Sequence, residues 1–262
     1  MLIPFIKMNA QGNDFVILDY FAPELVTLKE LNYSSLALEV CRPHFGIGAD
    51  GLVLLKPSTE FDAQMIIFNA DGSQAEMCGS ALRCVTWLLY KKTEKREFEI
   101  LTDSGVKKCQ VNNDKTITAN LGLPKMLKRK YNAEGFTGDL IEIGNPHFIV
   151  WQNNSDDDPH IKYGPLLEHH QGFPDTVNVH FAYLINRNEI AIKIWEKGCG
   201  ATFACGTGAS ATVYSGIING FLDNEVKVNM PGGTVKISAT AQGYLLSGEV
   251  YETFQGVFKW RI

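Results

Sequence analysis

Short apolar runs punctuated by glycine, asparagine and aspartate dominate the chain, and they recur in the same order in its two halves. After Gly12-Asn13-Asp14 an apolar run, Phe15 to Leu18, has the composition of a strand behind a turn. Residues 23–42 predict a helix with Leu25, Leu28, Leu31, Leu36, Leu38 and Val40 as its buried stripe. A glycine-broken loop, Arg42 to Gly51, leads to a strand at Leu52–Leu55, and Met65–Phe68 is the next strand-like run. Ala81 to Tyr90 is apolar almost all round, which predicts a buried helix rather than one lying on a surface. Strands at 98–102, 107–111 and 116–121 follow, and the basic, turn-rich stretch 123–131 predicts a linker.

Beyond that stretch the pattern repeats. Gly144-Asn145-Pro146-His147-Phe148-Ile149-Val150 echoes Gly12 to Leu18 at an offset of 132 residues. Thr176 to Phe181 falls where Ala49 to Val53 fell, about 128 residues earlier. At an offset of 127, Met65–Phe68 lies over Ile192–Trp195, and Cys78-Gly79-Ser80 lies over Cys205-Gly206-Thr207. A second helix-like run, Ala209 to Phe221, precedes strands near 226–229, 234–239 and 244–250. Neither half alternates strand and crossover helix as a parallel sheet requires. The expectation is an α+β fold with two similar halves, each a mostly antiparallel sheet wrapped round a central helix. The first is residues 1–122, joined by a C-terminal strand at 255–262, and the second is 123–254. The two cysteines are expected to face across the cleft between the halves.

Composition narrows the function. The 262 residues are 45% hydrophobic and 20% charged, as in an ordinary globular protein, and the net charge is −5. An acidic balance without a Lys/Arg block argues against nucleic acid. No apolar run is long enough to span a bilayer and the N-terminus has no signal-peptide layout, so a cytoplasmic protein with no membrane partner is expected. There the six cysteines, Cys41, Cys78, Cys84, Cys109, Cys199 and Cys205, are expected to be thiols.

Each repeat reads strand, glycine-rich loop, cysteine, helix, so one chain carries two thiols at two helix N-termini. Unpaired N–H groups and the helix dipole favour negative charge there and lower a thiol's pKa. Two such ends make a seat for a carboxylate, with a thiol on either side to remove a proton from one face of an α-carbon and return one to the other. Cys78/Cys84 and Cys199/Cys205 stand six residues apart, wider than the usual structural zinc pairs, so no metal is expected. Nothing in the pattern calls for a cofactor.

The chain resembles the diaminopimelate epimerase family of cofactor-independent, two-cysteine enzymes. The resemblance runs nearly end to end through Gly-Asn-Asp-Phe at 12–15, Phe-Gly-Ile-Gly-Ala-Asp-Gly at 45–51, Asn-Ala-Asp-Gly-Ser at 69–73, Met-Cys-Gly at 77–79, Gly-Asn-Pro-His at 144–147, Val-Asn-Val at 177–179 and Ala-Cys-Gly-Thr-Gly at 204–208. It implies two α+β domains related by a pseudo-twofold, an amino-acid substrate and often a homodimer. It also implies that LL- and meso-diaminopimelate are interconverted for lysine and peptidoglycan synthesis. Cys78 and Cys205 then match the acid/base pair, and Asn13, Asn69, Asn145, Asn178 and Glu196 match substrate-binding positions. Gly79, Ser80, Gly206 and Thr207 match the carboxylate cradle, with His147 in support. Lys197 stands where the family usually has an arginine that grips the distal carboxylate of diaminopimelate. Ser80-Ala81 replaces Asn-Gly, Ala201 replaces a glutamate, and Glu249-Val250 replaces Pro-Ala. Alternatives are a racemase of another amino acid on this fold, histidine for example, and a non-catalytic amino-acid-binding protein.

Overall fold

The computed structural model describes residues 1–26, 31–153, 158–173 and 176–260. The backbone separates into two compact units, Met1–Ala119 with Glu249–Ile262, and Asn120–Gly248. The sequence pattern placed the junction at 122/123 and the returning strand at 255.

The first unit opens with β1 (Leu2–Ala10) and β2 (Asn13–Asp19), then α1 (Pro23–Val26), α2 (Tyr33–Val40), β3 (Gly51–Lys56), β4 (Ala63–Asn69) and β5 (Gln74–Ala75). The central helix α3 (Gly79–Thr93) follows, then β6 (Glu97–Thr102), β7 (Gly105–Val111) and β8 (Ile117–Asn120). Antiparallel pairs join β1 to β2, β3 to β4, β4 to β5, β6 to β7 and β7 to β8. The β2–β3 and β4–β6 pairs are parallel, which the mostly antiparallel expectation did not single out. Almost every residue of β3 is buried, as befits a strand covered on both faces. Helix α3 packs on β1, β2, β4 and β7, and ten of its residues are buried, Arg83 among them.

The expected helix over 23–42 is two helices. Leu25, Leu36 and Val40 are buried as foreseen, and Leu31 is buried between the helices, whereas Leu38 is exposed. Leu28 lies outside the described residues. Asn32 explains the second start, because its side chain accepts from the Ser35 N–H as an N-cap.

The second unit repeats the plan. It comprises β9 (Lys125–Ala133), β10 (Phe136–Ile143), β11 (Asn145–Gln152), α4 (Pro159–Glu168), β12 (Asn178–Asn186), β13 (Glu189–Glu196), β14 (Gly200–Ala201), α5 (Gly206–Ile218), β15 (Glu225–Met230), β16 (Gly233–Thr240) and β17 (Gly243–Gly248). Its parallel pairs, β11–β12 and β13–β15, occupy the same places in the order as those of the first unit. Even the register matches: Phe15 pairs with Gly51 in one, His147 with Asn178 in the other. The predicted linker at 123–131 is instead mostly strand β9, antiparallel to β10. Its Lys125, Arg129 and Lys130 remain exposed, the charged face of an edge strand. The chain ends with β18 (Tyr251–Lys259), antiparallel to β1, with Leu2 opposite Lys259.

Candidate active site

Both cysteines sit at the same structural position, the N-cap of a central helix. Cys78 (φ −140°, ψ 121°) precedes α3 and Cys205 (φ −136°, ψ 106°) precedes α5, each in extended backbone. The first turn-closing bonds run from Leu82 N to Cys78 O (2.9 Å) and from Ala209 N to Cys205 O (2.9 Å). The N–H groups of 79–81 and 206–208 therefore lie ahead of the helical ladder, where they favour an anion.

In the first unit, Cys78 is half-buried, and Asn13, the first residue of β2, points its Nδ2 at the sulfur from 3.9 Å. A reciprocal latch fixes that end of β2. Asp14 N donates to Asp50 Oδ2 and Asp50 N to Asp14 Oδ1, both at 3.0 Å, and Lys7 Nζ lies 2.6 Å from Asp14. Gly79 and Ser80 are buried in the first turn of α3. Asn69, exposed at the end of β4, donates to Ser73 Oγ at 2.9 Å and so closes its own turn.

Sequence reasoning passed over Arg83. Its guanidinium is 1% exposed and donates to Gly79 O (3.3 Å), Gln11 Oε1 (2.8 Å) and Glu249 O (3.2 Å). The one signal for it was a charge inside an otherwise apolar helix.

In the second unit, Cys205 is 4% exposed; its Sγ accepts from Gly208 N at 3.3 Å and lies 3.6 Å from Thr207 Oγ1. Burial first, then the charge and hydrogen bond of the Glu196 carboxylate, push this thiol well above its ordinary range, against the Thr207 hydroxyl and Gly208 N–H. A helix N-terminus alone predicted the opposite; here desolvation wins. Glu196 ends β13 and accepts from Thr202 Oγ1 at 2.6 Å.

The turn after Glu196 is pinned from three sides. Lys197 N donates to Asn178 Oδ1 (3.1 Å), Gly198 N to Glu168 Oε1 (2.9 Å) and Cys199 N to Glu196 O (3.0 Å). Glu168 also accepts from Trp195 Nε1 at 2.8 Å. Gly198 (φ 71°) and Gly200 (φ 78°) take the left-handed conformation that this turn demands. No sequence signal marked Glu168. Asn178 also donates to Pro146 O (3.2 Å), tying the start of β12 to β11 beside His147. Asn145 is exposed at the turn into β11, opposite Ile143.

His147 is fully buried, and its Nδ1 lies 2.9 Å from Nε2 of His180, a residue the sequence did not single out. Burial holds both imidazoles neutral, His180 down to about 3 and His147 well below the usual histidine range. One ring then donates its N–H to the other. The His180 ring lies against α5: a Cβ on Gly208 would meet His180 Cε1 at 2.1 Å, so only glycine fits there. Among the described residues, His147, His180 and Cys205 are the group with metal-ligand spacing, one ligand atom of each lying within 4.8 Å of the others. The facing nitrogens are bonded to each other and the sulfur accepts from Gly208, while His147 Nε2 and His180 Nδ1 are buried with no hydrogen-bond partner among the described residues.

Comparisons with known proteins concern the family and the fold. A profile of the family described as Diaminopimelate epimerase matches residues 5–127 and 140–253. The chain is 36% identical to the diaminopimelate epimerase of Carboxydothermus hydrogenoformans over 272 residues, 97% of this chain and 98% of that one. It is 32% identical to that of Heliobacterium modesticaldum over 277 residues, covering 96% and 98%. Among solved structures, a hydroxyproline epimerase from Agrobacterium vitis with bound trans-4-hydroxy-L-proline superposes with a TM-score of 0.73 at 14% identity, covering 98% of this chain and 92% of that one. A Bacillus anthracis phenazine biosynthesis protein of the PhzF family gives 0.73 at 14%, covering 98% and 99%. These two likenesses concern the fold.

Proposed function

We propose a specific reaction for a chain that belongs to the diaminopimelate epimerase family: interconversion of LL- and meso-diaminopimelate by proton transfer between two cysteines. The observation that carries the reading is the repetition of a cysteine N-cap, Cys78 and Cys205, at the head of each unit's central helix. The protein is an isomerase of the epimerase class, and the proposal concerns its substrate and its working residues.

In this reading the two thiols flank one α-carbon. The thiolate of one removes the α-proton, and the electron pair left on carbon spreads into the carboxylate. The thiol of the other delivers a proton to the opposite face. Backbone N–H groups at Gly79–Ser80 and Gly206–Thr207 hold that carboxylate and stabilise the charge growing on it. Asn13 orients Cys78, and Glu196 holds the Cys205 proton. Asn69, Asn145 and Asn178 hold the polar parts of the substrate, with Lys197 as the counter-charge for the distal carboxylate and His147 in support. No cofactor takes part.

Lys197 favours a second reading, a racemase of another amino acid such as histidine, because an ammonium lacks the planar fork that grips a carboxylate bidentately. Incubating the reduced protein with LL-diaminopimelate and with a panel including histidine and lysine decides between them. Turnover confined to diaminopimelate supports the first reading, and turnover of a panel member alone overturns it.

A homodimer is part of the proposal. The β1–β18 pair exposes Leu2, Tyr251, Phe254 and Val257, apolar area of the kind a second copy covers. We place the protein in the cytoplasm, without membrane or nucleic-acid partners, in lysine and peptidoglycan precursor synthesis. All six cysteines are free, and among the described residues no helix is long and apolar enough to cross a membrane.

A further inference from the structure

We propose that His147, His180 and Cys205 form a binding site for a thiophilic divalent cation of the zinc class, and that occupancy silences Cys205 reversibly. Binding stands on the three side chains alone, whereas its effect on turnover rests on the two-cysteine reading.

The second unit builds the site from neighbouring elements. Strands β11 and β12 pair in parallel with His147 opposite Asn178, and His180 stands two residues further on. Both imidazoles therefore leave the same face of the sheet. Helix α5, which Cys205 heads, packs on β11 and β12, and its Gly208 lies against the His180 ring. One ligand atom from each of the three side chains lies within 4.8 Å of the others, and all three residues are buried. The expectation of no metal weighed only cysteine pairs, whereas these ligands come from elements far apart in the chain.

The internal repeat shows that the fold itself does not ask for these nitrogens. By strand register and the offset of 127, Phe15 stands in place of His147, Val53 in place of His180 and Ala81 in place of Gly208. Phe15 and Val53 are buried and apolar, and neither needs a partner. Ala81 carries the methyl that Gly208 lacks, and a Cβ at 208 would collide with the His180 ring. Three positions thus differ together, and what they bring in is a pair of imidazoles beside a thiol.

Packing does not account for that pair. The rings satisfy each other once, His147 Nδ1 lying 2.9 Å from His180 Nε2. His147 Nε2 and His180 Nδ1 are buried with no hydrogen-bond partner among the described residues. With one N–H shared between the facing nitrogens, one outer nitrogen carries a hydrogen and the other a bare lone pair. Buried polar atoms are ordinarily paired, and these call for another explanation. A metal ion takes a lone pair that no donor reaches.

The donor set selects the metal. Two imidazoles and a thiolate suit zinc, while magnesium and calcium take oxygen ligands. The Glu196 carboxylate beside the Cys205 thiol adds negative charge that a dication favours. Zinc bonds of about 2.0–2.3 Å set tetrahedral ligands roughly 3.3 to 3.7 Å apart, so a small side-chain rotation closes the trio. On binding, each imidazole gives one lone pair and keeps its single N–H on the other nitrogen. The Cys205 S–H bond breaks, a sulfur–metal bond forms and one proton leaves to water. The sulfur can then neither give nor take the α-proton until a chelator removes the ion.

The reduced, EDTA-treated protein is titrated with zinc and, for its spectrum, with cobalt(II). One ion binds per chain, and cobalt gives a sulfur-to-metal charge-transfer absorption. Cys205→Ser removes that absorption, His180→Val weakens binding by about a hundredfold or more, and Cys199→Ser changes neither. Iodoacetamide labelling of Cys205 across pH, read by mass spectrometry, has a midpoint in the metal-free protein and is suppressed by zinc. Cys205 labelling that zinc leaves unchanged overturns the proposal, whether or not the valine variant folds. So does zinc affinity indifferent to His180→Val in a folded variant. Stoichiometric zinc stops turnover and EDTA restores it; turnover unaffected by bound zinc overturns the silencing. Failure of the epimerase reading registers separately, as absence of turnover in the metal-free protein.

Discussion

The heads of α3 and α5 share a backbone and differ in what surrounds it. Cys78 is half-buried, with its first turn tied by one buried cation to Gln11, in the turn between β1 and β2, and to Glu249, just before β18. Cys205 is buried, bonded to its own helix through Gly208, and backed by the ring of His180. The far end of α5 is held by a buried carboxylate: Asp139 accepts from Ser215 Oγ and Asn219 Nδ2, both at 2.7 Å. A duplicated strand–loop–helix therefore delivers a thiol to the same place twice, in surroundings that differ in charge and burial. The local dipole is common to both helices. The difference comes from side chains one turn below and one strand away.

Removing either thiol is the bluntest way to break that comparison. If each thiol carries the proton on one face of the α-carbon, as proposed, Cys78→Ala and Cys205→Ala each lower kcat on the order of a thousandfold or more, with circular dichroism unchanged. Near-wild-type turnover in either variant ends the two-base account.

Glu196→Gln tests the acidic side of the asymmetry. Without the carboxylate the Cys205 thiol loses part of what holds its proton, so its labelling midpoint moves down and kcat falls about a hundredfold. An unmoved midpoint would detach Glu196 from Cys205.

The histidine pair belongs to the second unit alone, and pH exposes it. The folded protein keeps both rings neutral, whereas the unfolded chain binds protons at an ordinary histidine pKa near 6.5. The unfolded state then holds more protons below that pH. The contribution is fully present above about pH 6.5 and is lost as pH falls toward the folded value, by about 1.4 kcal/mol per imidazole per pH unit. Urea titrations between pH 7.5 and 5 measure the slope, and His180→Asn removes one imidazole's share of it. An unchanged slope in that variant contradicts the assignment.

The smallest effect concerns the substrate's far end. Lys197→Arg supplies the bidentate fork and lowers the KM for diaminopimelate by about three- to tenfold, leaving kcat nearly unchanged. A higher KM would point to another side chain in that position.

Most of the fold was legible because it is written twice. The matched strand runs, the two Cys-Gly pairs and the apolar helix located both central helices. A helix apolar almost all round has no face to give to solvent, which is why Ala81–Tyr90 is mostly buried, as expected. What misled was local composition. The basic stretch 123–131 looks like a linker, yet an edge strand also tolerates lysines on its open side. Leu38 fits the stripe of one long helix, but two short helices turn it outward. Of the candidate site, the sequence offered only residues whose type announces chemistry, such as cysteine or an asparagine behind glycine. Arg83, Glu168 and His180 act through contacts brought together from elements far apart in sequence. The Cys205 thiol ran against the helix-dipole expectation because burial cannot be read from a dipeptide.

The central claim is that two different groups handle the proton on the two faces of the α-carbon. It is tested most directly by following LL-diaminopimelate in D₂O under initial-rate conditions and measuring deuterium in both product and recovered substrate. The account predicts meso product carrying solvent deuterium at the inverted α-carbon, while recovered LL substrate keeps its original hydrogen. Recovered substrate that gains deuterium as fast as product forms would show one base serving both faces, and would contradict the account.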